Sequence, residues 1–221
     1  MRKTGLLPSR TGFYPTILKI VLTNKITTMA LYTSDYLKQQ SRNKTLNERN
    51  FISNQPNTPN EVFDIFLCHS YLDKEEIEGL YLELTRQNFK VYVDWIIDPQ
   101  LDRNNVTKET AELVRKRLRS SKSLLLALSH NATISKWVPW ELGQVDGHTQ
   151  QCALIPISRD NIRRTSFSRT EYLTLYPYVE KPNDLTSFRD KLWTVDSPNH
   201  YIEFQDWITG KRPTYKYTNF F

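Results

Sequence analysis

From residue 61 onward the chain alternates between two hydrophobic rhythms. Val62-Phe63-Asp64-Ile65-Phe66-Leu67-Cys68 is a short, nearly continuous apolar run, the pattern of a strand buried on both faces. Residues 73–87 then place Ile77, Leu80, Tyr81 and Leu84 three and four apart, which predicts a helix with one apolar stripe. The alternation repeats. Lys90–Trp95 reads as a second strand. After the polar stretch Asp98–Asn105, a helix is expected over Val106–Ser120, with Ala111, Val114 and Leu118 on its inner face. Its other face carries Arg115, Lys116, Arg117 and Arg119, read as a solvated basic surface near a helix C-terminus. Ser123–Leu128 is a third strand, Lys136–His148 a third helix and Ala153–Ile157 a fourth strand. Pro156 cannot donate to a ladder and is expected near the end of that strand.

Repeated strand–helix units of this kind predict an α/β fold, a parallel sheet with helices on both faces. Ligands of such open sheets collect beyond the C-terminal ends of the strands, where strand order reverses. That directs attention to His69-Ser70-Tyr71 after the first strand and Ser129-His130-Asn131 after the third. Around the α/β body (61–182), residues 29–60 read as an N-terminal helix beginning near Thr33–Leu37 and a polar linker ending in Pro56 and Pro59. Residues 183–221 read as a helical elaboration, from the spacing within Leu185–Val195 and Tyr201–Ile208, followed by a tail.

Composition narrows the class. The chain has 221 residues, 38% hydrophobic and 12% aromatic, so a buried core is within reach and wholesale disorder is excluded. The formal charge of +6 is unevenly placed: residues 1–60 hold nine Lys/Arg against two acids, and the remainder is nearly balanced. A nucleic-acid surface is therefore not implied by net charge. Residues 1–28 contain no acid and are expected to be a targeting extension or to precede a start at Met29; Lys19 and Lys25 interrupt their apolar stretch, so no membrane span is expected. The two cysteines, Cys68 and Cys152, exclude a disulfide framework and a CxxC site and suit a reducing, cytoplasmic setting. The six glycines form neither GxGxxG nor GxxxxGK, which leaves dinucleotide-fold and P-loop readings unsupported. Three N-x-T sequons would matter only in the secretory pathway, which nothing else supports.

The most informative stretch is Ser135-Lys136-Trp137-Val138-Pro139-Trp140-Glu141-Leu142-Gly143. Ser135 is a plausible N-cap, and Pro139 is tolerated only close to a first turn. Glu141 then falls within about two turns of a helix N-terminus, where negative charge is favoured. Trp137, four residues earlier, shares its face. An aromatic plane beside a fixed carboxylate can hold a flat cationic ring and steady positive charge forming next to it. Plainer readings stand alongside. Glu141 is otherwise an ordinary helix glutamate, Trp140 a core residue, and Trp95 either packing or substrate-lining. His69 reads as a strand-end histidine bonded to backbone, with no proton-transfer role. Ser70 is a candidate for phosphate or ribose contact. Arg103 could meet a pyrophosphate, a neighbouring subunit or solvent, and Cys68 reads as a small buried hydrophobe.

In order and spacing these pieces resemble a TIR (Toll/interleukin-1 receptor) domain of the stand-alone microbial kind. The matching residues are the strand Phe63–Ser70, then Asp73 and Lys74 where the helix opens, the loop after Trp95 in the place of the family's BB loop, and Ser135-x-Trp137-x-x-x-Glu141 as its catalytic-helix signature. The resemblance covers residues 61–158 and weakens over a fifth strand near Tyr176–Glu180. Tyr71 departs from it, standing where the family usually has a small residue. The resemblance implies a flavodoxin-like TIR fold with a central parallel five-stranded sheet in the order 2-1-3-4-5. It implies cleavage of NAD at the nicotinamide–ribose bond, with Glu141 catalytic and Trp137, His69, Ser70, Tyr71, Trp95, Arg103 and Ser129 around the substrate. The product would be ADP-ribose, a cyclic isomer or a base-exchanged conjugate, made without metal or cofactor. It further implies homo-oligomers built through TIR–TIR contacts that include Asp98–Asn105, and a downstream nucleotide-sensing effector in anti-phage defence of the Thoeris kind. No nucleic-acid or membrane partner is expected. Two rivals remain: a non-catalytic TIR module acting by homotypic docking, and a nucleoside 2′-deoxyribosyltransferase-like enzyme using a carboxylate on a similar fold.

Overall fold

Two very short strands, β1 (Met29–Ala30) and β2 (Tyr32–Thr33), lead into helix α1 (Ser34–Arg42), whose first turn is capped by the Thr33 hydroxyl accepting from the Tyr36 N–H at 3.3 Å. This is a computed structural model, describing residues 29–56, 58, 60–103, 105, 107–159, 171–182, 191–197 and 199–215. The expectations for residues 1–28, for 183–190 and for the tail beyond Tyr215 lie outside the described residues. Within the segment expected as a polar linker lies a helix, α2 (Leu46–Ser53). Its start is fixed by a capping box: Thr45 accepts from the Glu48 N–H, and Glu48 accepts from the Thr45 N–H.

The alternation then follows the hydrophobic pattern. In order come β3 (Phe63–Cys68), α3 (Lys74–Arg86), β4 (Val91–Tyr92), α4 (Asp94–Ile97), α5 (Lys108–Arg119), β5 (Ser121–Leu128), α6 (Trp137–Asp146), β6 (Cys152–Ser158) and β7 (Tyr178–Pro182). These five strands pair parallel in the spatial order β4-β3-β5-β6-β7, the 2-1-3-4-5 arrangement expected of the fold. Phe66 sits opposite both Tyr92 and Leu124, and Leu126 opposite Leu154, so the centre of the sheet is a fully buried aliphatic and aromatic layer.

Past β7 the sheet continues antiparallel through β8 (Trp193–Ser197) and β9 (His200–Glu203), then α7 (Phe204–Trp207) and β10 (Thr214–Tyr215), which pairs back onto β9. Among the described residues this corrects the helical expectation for the C-terminal part: of residues 191–197 and 199–215, only Phe204–Trp207 form an α-helix. The physical reason is a hairpin. Asn199 takes a positive φ of 64° at the turn, and the sheet edge left by β7 supplies ladder partners that a short helical pattern cannot outweigh.

The N-terminal strands fill a wedge. β6 and β7 are in register only at Leu154–Tyr178. Beyond that point Tyr32 and Thr33 pair with Ile157 and Ser158, while Met29 and Ala30 pair with Pro182 and Lys181. Pro156 lies at this seam. Leu154 N donates to Pro177 O, so Pro156, two residues later, faces the same side where β7 has diverged and no donor is needed. Helix α1 crosses α3 at Gly79, where a Cβ would stand 1.9 Å from the Leu37 carbonyl oxygen. Ser34 and Lys38 reach Glu76, Arg42 reaches Glu75, and Glu83 gathers Tyr36 at 2.9 Å and Lys181 at 2.6 Å. Residues 29–54 are thus part of the body and not a tether.

The basic run on α5 needs one correction. Arg117 is buried, not solvated: its Nε and Nη2 each bond the Asp98 carboxylate at 2.8 Å, and its Cζ lies 5.9 Å from the centre of the Phe63 ring and 5.8 Å from that of Tyr92. Tyr92 also donates to Asp98 at 3.0 Å, so the root of the loop that follows α4 is pinned to the core. Among the described residues no helix is long and apolar enough to cross a membrane.

Candidate functional site

Three structural elements converge at the C-terminal ends of the parallel strands: the end of β3, the start of α4 and the first turns of α6. Helix α6 begins at Trp137, so Pro139 is its third residue and removes no intrahelical hydrogen bond. Ser135, expected to cap it, lies one residue too early. Lys136 is the N-cap and its side chain makes no capping bond, while a short 3₁₀ turn at Ala132–Ile134 sets the approach. Glu141 is the fifth residue of α6 and is wholly buried.

What covers Glu141 is Arg103. Its Nη1 donates to Glu141 Oε1, and its Nε is ion-paired with Asp94 Oδ2, so one guanidinium spans two carboxylates. Its Cζ lies 5.4 Å from the centre of the Trp137 ring, and Trp137 Nε1 donates to the Arg103 carbonyl oxygen at 3.0 Å. Trp137 therefore holds the loop residue twice, by ring and by N–H. Glu141 Oε2 is buried with no hydrogen-bond partner among the described residues. The Cys68 thiol lies beside the carboxylate and is pushed well up by burial and by the Glu141 charge.

His69 completes the cluster. Its Nδ1 lies 2.8 Å from Leu67 O and its Nε2 lies 3.4 Å from Asp94 Oδ1. Both neighbours are acceptors, so the surroundings favour a ring protonated on both nitrogens. Burial alone would lower its pKa, but hydrogen bonding and charge from Asp94 outweigh that and raise it. Burial likewise works against Asp94 ionisation, yet His69, Arg103 and the Trp95 N–H (2.8 Å) hold that carboxyl below its ordinary range. The buried cluster thus sets two carboxylates against Arg103 and His69.

The sequence-predicted residues divide into two sets. Glu141, Trp137, His69 and Arg103 come together. Trp95 stands next to them on α4, not at the end of a strand as expected, with Lys74 Nζ 4.8 Å from its ring centre and its own Nε1 buried without a partner among the described residues. Ser70, Tyr71 and Ser129 form the rim, with no described contact to Glu141. Ser70 Oγ accepts from Leu72 N, Tyr71 is exposed, and Ser129 donates to Asp73, which also takes Asn131 Nδ2 at 2.6 Å. Trp140 is half-buried, edge-on to Trp137 at 5.5 Å and beneath Arg115. Asp94 is the residue that sequence reasoning missed. The available signal was an acid directly ending the apolar run Val91-Tyr92-Val93, at the sheet end where ligands collect.

Residues 65–192 match the TIR domain family. The "Probable 3' cyclic ADP-D-ribose synthase ThsB'" of Bacillus cereus is 44% identical over 149 residues, which is 67% of this chain and 77% of that protein. The "Putative cyclic ADP-D-ribose synthase TIR2" of Cytobacillus dafuensis is 31% identical over 83 residues, 37% of this chain and 22% of that protein. Among solved structures, the TIR domain of the Toll-related receptor TRR-2 from Hydra magnipapillata aligns at 20% identity with a TM-score of 0.37, covering 52% of this chain and 79% of that one.

Proposed function

Since the chain belongs to the TIR domain family, we propose that it cleaves NAD at the nicotinamide–ribose bond, with Glu141 as the catalytic carboxylate. The observation that carries this reading is the pairing of a buried Glu141 with Trp137 around a space already taken by a flat cation. The chemistry suits those groups. Nicotinamide is a cation within NAD, so when the C–N bond breaks the electron pair neutralises it and no general acid is required. Positive charge passes to the ribose, where a carboxylate near the ring hydroxyls stabilises it. A hydroxyl of the same dinucleotide then forms the new C–O bond and loses its proton, giving a cyclic ADP-ribose isomer; water in its place gives ADP-ribose. The names of the two relatives support cyclisation over hydrolysis. The reaction takes NAD as substrate and needs no further cofactor.

In the described conformation Arg103 stands in the substrate's way, so turnover requires the loop to withdraw. Separating even one buried ion pair costs on the order of 3 kcal/mol, and Arg103 must leave two. That leaves at most roughly one molecule in a hundred open and weakens apparent affinity by about a hundredfold or more. Because Asp98 is anchored on Arg117, the movement is confined to the residues after it. A second copy of the chain engaging this loop would supply the opening, which would make activity depend on assembly. The setting we assign is a cytoplasmic anti-phage signal read by a nucleotide-sensing effector.

The test is chromatography of NAD incubated with the protein at high concentration, beside Glu141→Gln. Wild type should release nicotinamide and a product of NAD mass less nicotinamide. The variant should be at least a thousandfold slower while keeping its far-UV spectrum. An equally active variant would sink the assignment. Concentration-dependent assembly with no turnover, even in extract from infected cells, would favour the docking module, a reading to which full burial of Glu141 lends some weight.

A further inference from the structure

Asp94 has a use that its ion pairs do not exhaust. It is buried at the start of α4, with Oδ1 taken by the Trp95 N–H and His69, and Oδ2, among the described residues, by Arg103. Only one of these partners belongs to the loop that must leave. The Trp95 N–H is on the same helix as Asp94, and His69 is fixed to the end of β3 by its bond to Leu67 O. When Arg103 withdraws, Oδ2 becomes a buried acceptor without a donor, facing the volume that Glu141 also faces. A buried acceptor left unpaired is costly, so a ligand entering that volume gains by supplying an N–H or O–H there.

Charge separates the roles of the two carboxylates. Asp94 keeps His69 as its partner when Arg103 leaves, and that pairing raises the affinity of His69 for its proton. Glu141 then holds the unmatched negative charge. The cationic centre of the substrate, at the bond being broken, belongs beside the unmatched charge. A neutral donor belongs beside the matched one. On the reacting half of NAD the neutral donors are the ribose hydroxyls, already assigned to Glu141, and the carboxamide NH₂ of the nicotinamide.

We infer that Asp94 is a specificity-determining residue of this site, its Oδ2 accepting from the substrate's carboxamide N–H in the place now held by the Arg103 guanidinium. The inference rests on the proposed NAD reading and adds the substrate class: pyridinium dinucleotides whose ring carries a hydrogen-bond donor.

The full-length protein and its Asp94→Asn variant would be compared on NAD and on 3-acetylpyridine adenine dinucleotide, which replaces the amide with a methyl ketone and has no N–H to give. The wild type should show a KM for NAD about tenfold or more below that for the analogue. In Asp94→Asn the ratio of the two KM values should fall to near one, any loosening of Arg103 shifting both dinucleotides alike, so the preference collapses. Equal losses on both dinucleotides would overturn the assignment, because a ribose contact or a merely structural residue affects them alike. The wild-type comparison stands even if the variant does not fold, and equal KM values there would equally overturn it. Failure of the wild type to cleave either dinucleotide would refute the NAD reading itself and this inference with it.

Discussion

Glu141 has no exposed surface, and the group that covers it belongs to a loop whose root is pinned while its tip is held by three contacts, to Glu141, Asp94 and Trp137. Removing that group asks directly what the carboxylate does when uncovered. Arg103→Ala is expected to lower the KM for NAD roughly tenfold or more and to make the specific rate less dependent on protein concentration, read from Michaelis curves at several concentrations. An unchanged KM would mean that Arg103 does not compete with substrate. At this scale the sequence was partly legible. Trp137 and Glu141 stood out because a four-residue spacing puts them on one face whatever the tertiary context. Arg117 was misread because charge was weighed above position: lying between Val114 and Leu118 in helical spacing, it shares their buried face, and the anion that justifies it comes from Asp98 on another element. Asp94 was hidden by reading the second strand through to Trp95, when the strand ends at Tyr92 and Asp94 opens a helical turn.

The elements whose identity was plain are those with strong, long periodicity: β3, α3, α5, β5, α6 and β6 all fall within about two residues of the pattern that predicts them. The C-terminal strands were not legible, because β8 and β9 owe their form to an edge offered by β7 and to a turn at Asn199, neither of which alters local hydrophobic spacing. The contact of α1 with α3 was equally invisible in either helix alone. It depends on Gly79, where the Leu37 carbonyl occupies the space a side chain would need. Backbone cannot yield as a flexible side chain can, so Gly79→Ala must push α1 away. The expected cost is about 1–3 kcal/mol, a drop of roughly 2–10 °C in melting temperature, even though alanine is the better helix former. A melting curve that rises on this substitution would show that α1 does not lie where the structure puts it.

For the whole molecule, the boundary expected at residue 61 is the one that matters, because the body does not close without what precedes it. β2 supplies the partners of Ile157 and Ser158 at the site end of β6, and β1 those of Lys181 and Pro182. Leu37 and Tyr32 are almost wholly buried against the core, and Glu83 on α3 gathers Tyr32, Tyr36 and Lys181. Deleting residues 1–60 would expose that face of α3 and leave two sheet ends unpaired in a wedge that side chains of β6 and β7 cannot fill by themselves. Burial of Leu37 and Tyr32 alone is worth about 3–6 kcal/mol, which for a domain of this size corresponds to roughly 10 °C or more. A chain spanning 61–221 is therefore expected to melt at least that far below one spanning 29–221, or to aggregate, and to lose NAD turnover with its fold. Scanning calorimetry on the pair measures the first effect and nicotinamide release the second. Equal melting temperatures would show that β1, β2 and α1 ride on a domain complete without them, and would return the N-terminal segment to the role of a tether.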